Sequence, residues 1–436
     1  MATAHTIDFD PWDLRVVDDP YPAFGLLRES VPVHFVERRG YWTIARYADV
    51  QHCLRDTDTF SSNLMYGSSP VLAPTPDELD AAWEPQPIYP VPRADAAPSD
   101  DRRPVTDLAA AIFEIDPPEH NRLRRLLARP LRHRSTDSLE SEIRTACDEL
   151  FDELARQMRD GGMAWFKHSY ARPLALRITS KLMGVPPQHA AYLGRLAEAT
   201  LGYFALEPSH RREFESAYPE LCGYFAEHLA QHGYTDPRPG EISMINPLRQ
   251  PNEDGDEPLS AIELLSNAAA LFRGGFETTV NTMTNAMVAL LEHPDQHREV
   301  VEDPGLLAGL VEEAMRYDGP VLGVFRVATC HTEVAGQELP AGSLINLLFA
   351  AANRDPAQFD SPDTFDIRRA NAGDQLSFGY GRHFCLGAPL ARMEARIAFE
   401  TLLTRTRSLR LAAPAPVYRH TVLRGRTEVP IAFDLA

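Results

Sequence analysis

The sequence predicts a mainly α-helical protein with small β-sheets, built as a single large domain over residues 1–436. Three observations predict it. A helical pattern of about thirty residues, long for a globular protein, opens at Ser260 and stops at His293-Pro294. Amphipathic stretches fill 138–232, among them LESEIRTACDELFDELARQM and REFESAYPELCGYFAEHLAQH. Period-two alternation appears only in short pieces, near 33–46, 320–349 and 419–433.

In chain order, DPYPAFGLLRES (19–30) has helical spacing, and VPVHFVERRGYWTIARY then alternates, with Arg39-Gly40 as the turn between two short strands. Residues 48–54 read as a further helix. Residues 63–106 differ. Rich in proline, alanine and acids, they cannot form one regular element. They are either a surface insertion without fixed structure or a partly ordered lid anchored by Met65, Trp83 and Tyr89. Asp116-Pro117-Pro118-Glu119 spells a helix start with Asp116 as cap. On that helix His120 and Arg124 share a face. Arg122, Arg125, Arg129, Arg132 and Arg134 add a basic side, read either as a solvated face or as a docking patch. Residues 236–258 form a polar linker. Ser260-x-x-Glu263 is a capping box for the long helix. Between 320 and 349 strands turn at Gly336-Gln337 and Pro340-Ala341-Gly342, and RHTVLRGRTEVPIAF reads as a closing hairpin.

Composition narrows the class. A net charge of −19 speaks against general nucleic-acid or anionic-membrane binding. The five cysteines are scattered and lack CxxC spacing, so they read as reduced thiols of a cytosol. No window approaches ~18 consecutive apolar residues, and MATAHTIDFDPWD has no basic stretch followed by an apolar run. The expectation is a cytoplasmic monomer with neither membrane nor nucleic-acid partner.

Three motifs carry chemistry. In QLSFGYGRHFCLG (375–387), Cys385 ends a glycine-punctuated loop directly before a helix. The positive end of a helix dipole favours a thiolate there, a soft metal ligand. Gly379, Gly381 and Gly387 allow tight turns and close approach. Phe378 can cover the sulfur, and His383 can offer a donor to an anion. The bland alternative is a buried small hydrophobe. In the long helix, Gly274-Gly275 costs about 1 kcal/mol per glycine against alanine, and Glu277-Thr278 places an acid and a hydroxyl beside that weak point. Glu313-x-x-Arg316 puts two opposite charges on one helix face, which by itself is equally consistent with a surface pair.

Phe378-x-x-Gly381-x-His383-x-Cys385-x-Gly387 resembles the haem-binding loop of the cytochromes P450 in their soluble bacterial form, where a cysteine thiolate holds the haem. The resemblance runs in order along nearly the whole chain. It implies haem b (iron protoporphyrin IX) on Cys385, with Phe378, His383 and Gly387 around it and His120, Arg124 and Arg326 on its propionates. It implies a central distal helix, 260–292, widened at the glycine pair, with Glu277 and Thr278 passing protons. It implies Glu313, Arg316 and Arg369 as a buried structural set behind the haem loop, and 63–106 as a roof over the substrate. The pocket is expected in that roof, among the helices around 192–225, and at Ala270, Arg273, Gly274, Phe276, Leu322, Val324, Val422 and Leu423.

The implied activity is a monooxygenase that activates O2 and hydroxylates or otherwise oxidises a small organic substrate in secondary metabolism or catabolism. The chain has no flavin or iron–sulfur motif, so two electrons must come from NAD(P)H through ferredoxin reductase and ferredoxin, docking on the arginine-rich face. A peroxide-driven peroxygenase is expected to lack the acid–alcohol pair. A haem gas sensor needs neither that pair nor a lid. Two features depart from the family pattern: the length of 63–106, and Arg273 where an apolar residue is usual. Arg273 is expected to hold a substrate carboxylate, to meet an internal acid, or to reach water.

Overall fold

The structure, a computed structural model, describes residues 7, 9–63, 111–129, 136–201, 208–231, 255, 257–417 and 420–436. The roof expected over 63–106 lies outside the described residues beyond Asn63, as do Arg132, Arg134 and most of the polar linker.

Helices α1 (Leu14–Asp18) and α2 (Tyr21–Ser30) lead into the antiparallel strands β1 (Val33–Val36) and β2 (Tyr41–Ile44), joined through Gly40 at φ 67°. α3 (Tyr47–Arg55), β3 (Phe60–Ser61), α4 (Glu119–Ala128) and α5 (Thr136–Gly161) follow. β4 (Ala164–Trp165) and a five-residue π-helical turn, Lys167–Ala171, run into α6 (Arg172–Leu182). α7 (Pro187–Thr200) and α8 (Pro208–Gln231) complete the amphipathic run. α9 (Ala261–Glu292) is the central helix, and α10 (Pro294–Glu302) and α11 (Leu307–Tyr317) come after it. Then come β5 (Val324–Ala328), β6 (Thr332–Val334), β7 (Gln337–Leu339), β8 (Leu344–Leu347), α12 (Phe349–Ala352), α13 (Ala388–Arg405), β9 (Thr406–Leu411) and β10 (Pro430–Leu435).

The main sheet has the order β1-β2-β8-β5-β3. The β2–β8 pair is parallel and its other pairs are antiparallel. A three-stranded sheet, β4-β10-β9, and the β6-β7 hairpin are separate. The architecture is mainly α with small sheets. The expected closing hairpin needs correction. Val417 and Arg426 make only an isolated bridge, and β10 pairs instead with β4 and β9, which offer it two complementary edges.

The ends of α9 follow from local chemistry. Ser260 Oγ accepts from the Glu263 N–H at 3.3 Å, and the Glu263 carboxylate accepts from the Ser260 N–H at 2.8 Å. At the other end Pro294 removes the next donor. Between them the helix is buried around most of its circumference from Phe276 to Leu290, because it runs through the main core rather than over it. It stays α-helical through Gly274 and Gly275, so the expected widening is not a break in its ladder. α4 starts differently from expectation. Pro118, not Asp116, is the cap residue. The Asp116 carboxylate accepts instead from Ser62 N at 2.9 Å and from the Ser61 hydroxyl, which ties α4 to β3. Among the described residues no helix is long and apolar enough to cross a membrane.

Candidate functional site

Residues 375–387 form a closed loop. The Cys385 N–H donates to Phe378 O at 2.8 Å, and Gly379 and Gly381 take φ of 72° and 69°. A Cβ on Gly381 would stand 3.0 Å from Leu54 O, so glycine is needed there for both dihedral and space. Gly387 is different. At φ −83° it caps α13, and a Cβ would lie 3.9 Å from Cys385 Sγ. The sulfur thus lies two residues before a helix cap. Met315, Phe378, Ala388, Phe384 and Ala391 pack around it, and Arg392 lies 4.4 Å over the Phe378 ring. Burial pushes the Cys385 thiol up. The backbone N–H groups of Gly387 and Ala388, with Arg124 and Arg392, pull it down without reversing the direction. The dipole alone therefore does not make the expected thiolate, whereas a coordinated metal deprotonates a thiol outright.

Beside the loop, side chains from four elements converge. The rings of His120 (α4) and His383 lie 4.1 Å apart. Arg124 donates to Phe384 O. Arg326 comes from β5, and Ser62 meets His383 Nε2 at 3.0 Å. His120 and Arg326 are 1% and 6% exposed. Both ring nitrogens of His120 and the Arg326 Nε lack a hydrogen-bond partner among the described residues. Burial, then Arg326, His120 and Arg124, push His383 down to about 2. Burial lowers Arg326 to about 10 against Asp116 and Cys53, and burial also lowers His120 and Arg124. So many buried donors under mutual repulsion call for anions. A flat cofactor with two carboxylates and a metal needing one soft ligand, as haem is, fits this donor set.

The central helix presents two different surfaces. Gly274 and Gly275 are exposed in the middle of a largely buried helix, and a Cβ on Gly274 would meet nothing within 4 Å among the described residues. The Thr278 hydroxyl donates back to Gly274 O at 2.6 Å, Thr279 to Gly275 O at 2.9 Å and Thr282 to Thr278 O at 2.9 Å. Glu277 points elsewhere. It is 5% exposed, and its Oε1 lies 3.7 Å from Lys167 Nζ. The acid and the alcohol are sequence neighbours, but their side chains do not meet here.

Behind the loop, Arg316 donates to Glu313 through Nε at 2.8 Å and Nη2 at 2.7 Å, both side chains being 0% exposed. Its remaining donors reach the carbonyls of Asn353, Pro362 and Thr364. Arg369 Nε adds a contact to Glu313 at 3.1 Å. Asn353 and Met315 both bond Ser377, so the set is joined to the cysteine loop.

Of the expected pocket residues, Leu322 and Val422 bond through their backbones at 2.7 Å, and Val321 bridges Leu423. Ala270 is 6% exposed, one turn before Gly274 on α9, and Val324 lies half-buried in β5. Phe276 does not belong with them. It is 0% exposed, in the main core, with Arg172 5.6 Å over its ring. Two residues beyond Gly274 is roughly 200° around the helix, which turns it to the opposite side. The Arg273 guanidinium lies 5.7 Å over Phe113 and 5.9 Å over Tyr218. Arg122 is also reassigned. It pairs with Glu119 and with Glu263 of α9, whereas Arg125 and Arg382 are exposed. Lys167, Asn281 and Asp318 were not singled out by sequence. Asn281 was legible as the residue four after Glu277.

The cytochrome P450 family model matches residues 203–412. Across 421 residues the chain is 34% identical to the cytochrome P450 monooxygenase PikC of Streptomyces venezuelae, covering 95% of this chain and 91% of that one. It is 30% identical to the 6-deoxyerythronolide B hydroxylase of Saccharopolyspora erythraea over the full length of both. A solved cytochrome P450 from Chondromyces apiculatus superimposes with a TM-score of 0.80 at 30% identity, covering 98% of this chain and 99% of that one.

Proposed function

This chain belongs to the cytochrome P450 family of monooxygenases, and from that premise we propose that Cys385 ligates the haem iron while the residues around it divide the work of the reaction. The observation that carries this assignment is the convergence of His120, Arg124, Arg326 and His383, with buried nitrogens of His120 and Arg326 that have no partner among the described residues, beside a cysteine at a helix start. His120, Arg124 and Arg326 hold the propionates, with His383 at the same edge. Phe378 and Gly387 shape the space at the sulfur. When bound, the haem activates molecular oxygen for insertion into a C–H bond, chemistry that no side chain supplies.

The residues of this chain orient and supply. Gly274 leaves room beside α9 at its own position, and Thr278 places a hydroxyl next to it. Glu277 holds the proton that Thr278 passes on. Glu313, Arg316 and Arg369 fix the segments that carry the cysteine loop. Ala270, Leu322, Val324, Val422 and Leu423 give an apolar wall, so the proposed substrate is a small, largely apolar organic molecule. One relative is named for hydroxylating 6-deoxyerythronolide B, and a secondary metabolite of comparable chemistry is the class to screen first. Arg273, clasped between Phe113 and Tyr218, orders the mouth of that pocket and offers donors to a substrate acceptor. Electrons come from NAD(P)H through ferredoxin reductase and ferredoxin, to a cytoplasmic monomer.

The assignment of Cys385 is tested by the spectrum of the reduced, CO-bound protein. The wild type is expected to show the absorption band of thiolate ligation, and Cys385→Ala to lack it while staying folded by circular dichroism. Retention of the band in Cys385→Ala refutes the assignment.

A further inference from the structure

The turn that carries Val422 and Leu423 is closed by an imidazole. His420 is 2% exposed. Its Nδ1 accepts from the N–H groups of Val422 at 3.0 Å and Leu423 at 2.9 Å. A ring nitrogen that accepts carries no proton, so the proton of the neutral ring sits on Nε2. Nε2 lies 2.9 Å from Leu201 O and donates to it. Leu201 is the cap residue at the C-terminus of α7, and the last carbonyls of a helix have no partner within it. One side chain thus closes the turn 420–423 and meets the end of a helix 219 residues earlier.

The same segment is pinned from two other directions. The Leu322 N–H donates to Val422 O at 2.7 Å, and the Arg424 N–H to Pro320 O at 2.9 Å. Asn285 of α9 donates to Arg424 O at 3.0 Å. Gly425 comes so close to Asn281 of α9 that a Cβ would stand 2.0 Å from its Oδ1. These contacts fix 422–425 against α9 and 320–322, and His420 adds α7 to that set. α7 itself packs on α8 and α9, and it is one of the helices expected around the pocket.

We propose that His420 is a positioning residue for ligand selection. By tying the turn 420–423 to the end of α7, it fixes how far the wall formed by Val422 and Leu423 stands from that helix, and so how bulky a ligand that wall can grip. The proposal rests on the reading of Val422 and Leu423 as pocket wall. A rigid five-membered ring bridges the two parts, so the turn and the helix end cannot separate without breaking a hydrogen bond.

The test uses the haem-loaded protein and two probes of different bulk, imidazole and 4-phenylimidazole, in spectral-shift titrations. His420→Asn separates the two sets of bonds. An asparagine side chain bonds the backbone two residues on, so the turn is kept, but nothing reaches Leu201 O. The affinity for 4-phenylimidazole relative to imidazole is expected to fall about fivefold, the factor that one buried neutral hydrogen bond is worth. Hydrogen exchange in this variant is expected to rise over 196–201 and to stay at the wild-type level at Val422 and Leu423. His420→Ala is expected to speed exchange at both places. An unmoved or raised affinity ratio in His420→Asn, or wild-type exchange over 196–201, overturns the proposal. Leu423→Ala checks the wall itself and is expected to lower the same ratio. If Leu423→Ala lowers it and His420→Asn does not, only the link to α7 is wrong. If Leu423→Ala leaves it unmoved, the wall reading fails and selection through His420 with it.

Discussion

Asp318→Asn is expected to weaken the fold through a group outside the reaction. Asp318 follows α11 directly and is 5% exposed. Its carboxylate accepts from Arg424 Nε at 2.5 Å, Arg426 Nη2 at 2.7 Å and the Tyr21 hydroxyl at 2.7 Å. Burial would push the carboxyl up, yet Arg424, Arg426 and Tyr21 hold it at about 2 against an ordinary 3.8. That difference is worth about 2.5 kcal/mol of folding stability. The folded value is depressed, so the contribution is present above pH ~4 and is lost as pH falls toward 2. Asparagine keeps the shape but leaves two buried guanidinium groups without their acid, a loss of about 3–5 kcal/mol. Urea unfolding of the holoprotein, followed by circular dichroism and haem absorbance, should show a lower midpoint with an unchanged slope. The variant should also lose less stability than the wild type between pH 5 and 3. A change below about 1 kcal/mol, or an unaltered pH profile, would refute the view that this cluster anchors 424–426 to α11.

Thr278→Ala should lower product formed per NAD(P)H consumed several-fold while shifting stability by roughly 1 kcal/mol or less, since it removes one back-bonded hydroxyl. Unchanged coupling removes Thr278 from the reaction. Reversing charge at Arg125 and Arg382 should slow reduction by an acidic ferredoxin about tenfold at low salt, with the gap closing as salt rises. An equal rate at low salt places the docking surface elsewhere. Arg273→Leu should weaken binding of carboxylate-bearing ligands in a spectral-shift titration more than that of neutral ones. Equal affinities and an unmoved site of oxidation give Arg273 a structural role, in which its contacts to Phe113 and Tyr218 take part.

Much of the fold was legible because its signals are local. The capping box at Ser260, the proline after His293 and the period-two runs around Gly40 and Gly342 act within a few residues, and the corresponding elements form where they were expected. Errors arose where a local signal met a distant competitor. Asp116 has the identity and position of a helix cap, but Ser61 and Ser62 on β3 take its carboxylate. Arg122 looks like one more charge on a basic face, but Glu263, more than a hundred residues later, binds it. The 419–433 stretch alternates like a hairpin, yet free edges on β4 and β9 claim its last strand.

The site divides along the same line. A helix pattern fixes which residues share a face but not what that face meets. Gly274 and Thr278, four apart, could be placed together from spacing alone, and their hydrogen bond follows. Phe276, two residues beyond Gly274, lies in the main core instead, because the 100° step per residue turns it away from the glycine. Glu277 is the more instructive residue. Its adjacency to Thr278 invites a shared role on one surface, but a single step around the helix carries it to a face that meets Lys167, a residue 110 positions earlier brought there by the π-helical turn. No local rule announces that pairing. What was available was Asn281, a polar residue one turn after a buried acid on the same helix face, and two such residues on a core-facing surface require something polar opposite them. Lys167 meets part of that requirement, its Nζ 3.7 Å from Glu277 Oε1.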